Sequence, residues 1–254
     1  MRVALVLMLA GCGRIDFDEI DVASAPLMIT KLRIHDPSTA AALFDITTGG
    51  AFDVSAYPNG ITVVAEVAGS PGSVAFVRNG TRNVELSPPY VSGGNMGGLH
   101  TDLAFVVGTN ELAVTAYELA DMGGASGTTR AVTFELTLPL AGPPSIQHAG
   151  ITNDDDTSFV EIVDGMTYSA ASLPAIANVR IVTIPAFVGS VTIGGSAPWG
   201  ARVENHPPYT AMATGESFTP KIGMNYTLTA QAFTLGKGLG TGGTPYTVTF
   251  SIGP

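Results

Sequence analysis

The chain has 254 residues, with 11 Lys and Arg against 21 Asp and Glu and a formal net charge of −10. So acidic a surface repels a phosphate backbone, which excludes nucleic acid as a partner. Apolar residues at 45% beside charged residues at only 13% exclude intrinsic disorder, and a single cysteine excludes an internal disulfide or a cysteine-based zinc site.

In chain order, Met1-Arg2 precedes an apolar run from Val3 to Ala10. A membrane-spanning helix needs about 20 apolar residues, so this run reads as a processed signal over residues 1–11. Leu9-Ala10-Gly11-Cys12 resembles the lipobox of bacterial lipoproteins. The resemblance implies cleavage before Cys12 and lipidation of its thiol with diacylglycerol and fatty acid such as palmitate, so that the partner is a membrane and no separate cofactor is expected. Two or more acyl chains hold a protein stably on a bilayer. An ordinary signal peptide with an incidental cysteine is the other reading. Cys12-Gly13-Arg14-Ile15-Asp16-Phe17-Asp18 is similar to the start of many lipoproteins of myxobacteria and their relatives. Residues 12–27 then form an acidic tether. Gly13, where some bacteria place the Asp that retains a lipoprotein in the inner membrane, implies a cell-envelope location in the outer membrane.

The rest of the chain repeats. Val84-Glu85-Leu86-Ser87-Pro88-Pro89-Tyr90 recurs 119 positions on as Val203-Glu204-Asn205-His206-Pro207-Pro208-Tyr209, and Gly72-Ser73-Val74 recurs 117 on as Gly189-Ser190-Val191. Val114-Thr115-Ala116 aligns with Leu228-Thr229-Ala230 at an offset of 114, and Val132-Thr133-Phe134 with Val248-Thr249-Phe250 at 116. Two modules follow, residues 28–138 and 146–254, joined by a Pro/Gly linker at 139–145, where proline restricts the backbone. Within each copy the period is two: Val132, Phe134 and Leu136 alternate with Thr133, Glu135 and Thr137, as Val248, Phe250 and Ile252 do with Thr247, Thr249 and Ser251. Such alternation, punctuated by Gly, Pro and Asn, predicts antiparallel strands with one buried face. The fold class is all-β, with two tandem immunoglobulin- or fibronectin-like β-sandwiches.

The second copy carries a closer likeness in Pro185-Ala186-Phe187-Val188-Gly189-Ser190-Val191, Arg202-Val203-Glu204-Asn205-His206-Pro207-Pro208-Tyr209 and Gly242-Gly243-Thr244-Pro245-Tyr246-Thr247-Val248-Thr249-Phe250. It resembles a bacterial immunoglobulin-like module found in secreted proteins beside malectin-like and glycan-active domains, and the first copy is a looser match. The resemblance implies an accessory, non-enzymatic role.

Residues that could carry chemistry are few. His35, His100, His148 and His206 lack the close spacing of a metal motif, and read as loop or surface residues. Asn153-Asp154-Asp155-Asp156-Thr157 offers oxygen ligands but not the spacing of a calcium loop, so no metal site is expected and a capped turn is the reading. Gly236 to Gly243 lacks the spacing of a phosphate loop and reads as a connection between strands. Glu85 and Glu204 stand in register in both copies beside Pro-Pro-Tyr, where a bond fixing a strand corner is expected rather than catalysis. Trp199, the only tryptophan, lies in Gly194-Gly195-Ser196-Ala197-Pro198-Trp199-Gly200. An exposed indole there could stack on a sugar or anchor a protein, with Tyr57, Tyr117, Phe187 and Phe233 as weaker aromatic candidates. The expectation is a non-catalytic, lipid-anchored envelope protein that displays its modules to a glycan or envelope protein. The alternatives are a spacer without a small ligand and, more remotely, a glycan-active enzyme with convergent acids in a deep pocket.

Overall fold

A computed structural model describes residues 26–95, 98–153, 157–196, 198–213 and 215–254. Cys12, the signal over 1–11, nearly all of the tether and Asp154 to Asp156 lie outside the described residues.

The first sandwich is built from β1 (Met28–His35), β2 (Ala42–Asp45), β3 (Ala51–Asp53), β4 (Thr62–Ala68), β5 (Ser73–Arg78), β6 (Thr81–Glu85), β7 (Tyr90–Val91), β8 (Gly108–Tyr117) and β9 (Arg130–Thr137). One sheet runs β2-β1-β4-β7 and the other β3-β9-β8-β5-β6. The second sandwich repeats this with β10 (Ser145–Thr152), β11 (Phe159–Glu161), β12 (Thr167–Ser169), β13 (Asn178–Ile184), β14 (Ser190–Gly195), β15 (Arg202–Glu204), β16 (Tyr209–Thr210), β17 (Asn225–Phe233) and β18 (Tyr246–Gly253). Its sheets run β11-β10-β13-β16 and β12-β18-β17-β14-β15. Among the described strands the pairings are antiparallel except β3 with β9 and β12 with β18, which are parallel.

The alternating residues form the cores. On β8, Leu112, Val114 and Ala116 are buried and face Leu32, Ile34, Val63 and Ala65 of the opposite sheet. In the second sandwich Leu228, Ala230 and Ala232 meet Ala149, Ile151, Val179 and Ile181. Full burial of one large aliphatic side chain contributes about 1.5–3 kcal/mol, so the period-two pattern fixes which face turns inward.

The pairing also corrects the repeat alignment. Val74 lies opposite Ala116, and its counterpart Val191 lies opposite Ala232. Ser73 Oγ donates to Leu119 O at 2.7 Å and accepts from Met122 N at 3.1 Å, while Ser190 Oγ donates to Leu235 O at 2.6 Å and accepts from Gly238 N at 2.9 Å. Val114 therefore matches Ala230, not Leu228. The Thr-Ala identity sets β8 against β17 two residues out of step, a slip that leaves every side chain on its proper face.

Candidate functional site

The Pro-Pro-Tyr motifs are structural in both copies. Tyr90 hydroxyl donates to Pro71 O at 3.1 Å, and Tyr209 hydroxyl donates to Val188 O at 2.8 Å while accepting from Val188 N at 3.0 Å. Burial pushes the Tyr209 phenol well above its ordinary range. Glu85 accepts from Asn83 Nδ2 at 2.8 Å, and Glu204 pairs with Arg202 at the corresponding place. Both acids are thus occupied in tying an edge strand.

Trp199 is not an exposed anchor. It is 2% exposed, its Nε1 donates to Thr227 O at 3.0 Å, and its ring packs against Phe218, Tyr226 and Phe250. Large aromatics gain most from full burial when their polar atom finds a partner, and the Thr227 carbonyl supplies it. Tyr117 and Phe233 occupy matching positions opposite Ser73 and Ser190. Phe187 and Tyr57 come together elsewhere, at the joint between the sandwiches.

There the end of the first sandwich presents Tyr57, Gly60 and the segment from Asp102 to Val107. The second sandwich covers it with Phe187, His206 and Gly236, and Phe187, 9% exposed, belongs to the core of the first sandwich rather than its own. Gly236 N donates to Val107 O at 2.8 Å. A Cβ on Gly236 would lie 2.6 Å from Val106 Cβ, so only glycine allows this approach. His206 lies 2.7 Å through Nε2 from Phe105 O. A carbonyl only accepts, so Nε2 carries the proton and Nδ1, buried without a partner, is bare. Desolvation lowers the His206 pKa, partly offset by the bond to Phe105 and the Asp102 charge. Sequence reasoning placed His206 among the loop histidines, whereas it is a pin of the joint.

The first sandwich holds its side of the joint rigidly. Arg78 Nη1 meets Asp102 Oδ1 at 2.6 Å, and both side chains are almost fully buried. Asp102 Oδ1 accepts from Ala104 N at 3.0 Å, and Asn79 Nδ2 donates to Ala104 O at 2.7 Å. Asn110 brackets Val106, accepting its N–H at 3.0 Å and donating to its carbonyl at 2.8 Å. Bonds to Ala104 and Val106 thus hold the backbone on either side of Phe105 O, and Val106 adjoins Val107 O, the two carbonyls that meet the second sandwich.

Beside the joint runs a groove of about 350 Å³ with Leu103 on one wall and Val203, Asn205, His206, Thr210 and Glu216 on the other. Leu103 and Val203 are 65% and 42% exposed, which gives it two apolar lips. Several of its polar atoms hold loops: Asn205 Oδ1 accepts from Lys237 N at 2.6 Å, and Asn178 Oδ1 from Met212 N at 3.0 Å. Glu216 Oε2 accepts a 3.2 Å bond from Ala213 N. Among the described residues no group of three His, Cys, Asp or Glu side chains is placed to hold a metal ion. No described helix is long and apolar enough to cross a membrane.

No family model and no curated protein matches the chain. Among solved structures it is similar, at 16% identity and a TM-score of 0.26, to a structure described as structural insight into host cell surface retention of a 1.5-MDa bacterial ice-binding adhesin, over 91% of this chain and 66% of that one. It is also similar to the β-glucuronidase of Parabacteroides merdae, at 10% identity and a TM-score of 0.25, over 87% of this chain and 24% of that one. The chain therefore spans less than two thirds of each, and likenesses this distant carry no argument about it.

Proposed function

We propose that the chain is a non-catalytic binding protein of the bacterial cell envelope, anchored in the outer membrane by acyl chains on Cys12, that takes a glycan in the groove beside the joint. The observation that supports this most is the groove itself, whose lips come from both sandwiches and whose wall carries Glu216 and Asn205. Sugars are bound by apolar contact with their C–H faces together with hydrogen bonds to hydroxyls, and Leu103, Val203, Glu216 and Asn205 offer both. The anchor is supported by the Leu9-Ala10-Gly11-Cys12 motif alone. The pairing of Glu204 with Arg202 and the absorption of Glu85 into a strand edge speak for a binding role over glycoside hydrolysis, which uses two acids facing one bond.

A glycan array probed with the wild-type chain and with Glu216→Ala tests the reading. Binding that the substitution weakens supports it; an array on which the wild type binds nothing overturns it and leaves the spacer reading. The buried joint is what favours that second reading, since a stiff pair of sandwiches also serves to hold something at a fixed distance. Fatty-acid labelling of wild type against Cys12→Ser reads the anchor separately.

A further inference from the structure

The internal joint shows what covers one end of a sandwich of this kind, and the corresponding end of the second sandwich is bare. The correspondence is fixed by backbone bonds. Asp102 N donates to Ile61 O as Phe218 N donates to Ala177 O, and Tyr57 N to Val54 O as Leu173 N to Ala170 O. Tyr57, Gly60 and Val106 therefore match Leu173, Ile176 and Ile222. In the first sandwich Gly60 and Val106 are buried beneath the second. In the second, Ile176 is 53% and Ile222 62% exposed, with the exposed Lys221 beside them.

The covering end has a counterpart too. Ser190 and Ser73 bind Leu235 O and Leu119 O alike, so the Leu235-Gly236-Lys237 turn of the joint matches Leu119-Ala120-Asp121 on the first sandwich. That end is also uncovered: Leu119 is 60% and Leu86 55% exposed, with exposed Glu118 and Asp121 on either side of Leu119 in the chain. One end of the molecule is thus apolar with a cation and the other apolar with anions.

We propose that copies of this chain associate head to tail, the Ile176, Ile222 and Lys221 end of one receiving the Leu86, Leu119 and Asp121 end of the next, at the ends that correspond to the two sides of the internal joint. The occupant is a second copy because the surface it covers is the one already covered by a like module within the chain, and because the charges on the two ends are opposite. An end-to-end contact between two identical ends would instead set Lys221 near Lys221. Ala120 stands where the joint has Gly236, and Ser70 where it has Phe187, so this contact is shallower than the internal one and is filled by the two leucines. A head-to-tail contact uses two different surfaces, so each copy keeps one free end and association continues beyond the dimer.

Sedimentation of the full chain as Cys12→Ser, from micromolar to millimolar concentration, tests this independently of any glycan. The expected result is a weight-average mass that rises beyond dimer, at least tenfold weaker association for Ile222→Asp and for Leu119→Asp alone, and a dimer with nothing larger when those two variants are mixed. Each variant keeps one intact end, so only head-to-tail contact gives that stop. Lys221→Glu should weaken association and Asp121→Lys added to it should restore it, which separates loss of contact from loss of fold. A wild type that stays monomeric, a Leu119→Asp variant that still associates as wild type, or a mixture without dimer overturns the proposal.

Discussion

Single side chains decide two matters that composition leaves open. Trp199 fills the second core with its indole N–H satisfied by Thr227 O, so Trp199→Ala should cost that sandwich about 3–5 kcal/mol. Urea unfolding followed by circular dichroism should show this, and glycan affinity measured under folding conditions should not change. His206 makes the joint sensitive to acid. Its pKa in the joint lies below the free value of 6.5, so the separated modules bind a proton more readily than the docked ones. The joint is fully stable above about pH 6.5 and weakens as pH falls through the interval down to the lowered value, with Asp102 narrowing that interval. An NMR titration of the His206 ring should give a midpoint below 6.5, moving up to that value if docking is broken.

At the scale of elements, the segment from Asp102 to Val107 acts as a prepared face because a buried ion pair and two asparagines hold it. Removing one member of such a pair leaves the other charge buried and typically costs about 3–5 kcal/mol. Arg78→Met, which strands the Asp102 anion, and Asp102→Asn, which strands the Arg78 cation, should therefore each destabilise the first sandwich by that order in urea unfolding. Long strands were legible in the sequence because their buried face repeats every second residue, as in Val132, Phe134 and Leu136. The three-residue β3 and β12 were not, because Ala51–Asp53 and Thr167–Ser169 are too short to show a period. The match of β8 to β17 slipped by two because period two fixes the face and not the register. Trp199 misled for a related reason: glycines around an aromatic signal close approach as readily as exposure, and a Cβ on Gly195 would lie 2.8 Å from the indole nitrogen.

For the whole molecule the informative places are those where the two copies differ. Phe187, His206 and Gly236 stand where the first copy has Ser70, Ser87 and Ala120, and all three meet at the joint. Repetition made the sandwiches readable, while the joint showed only as departures from repetition in loops, which no periodic pattern flags. Gly236→Ala puts a methyl into Val106, and overpacking of this kind costs about 1–3 kcal/mol, so it should loosen the pair without unfolding either sandwich. Phe187, His206 and Gly236 lock both sandwiches into one body and so build the groove between them. Backbone ¹⁵N relaxation tests it most directly. Amides of both sandwiches should share one rotational correlation time in the wild type, separating into two shorter ones in Gly236→Ala. Two independent, shorter times in the wild type would contradict it.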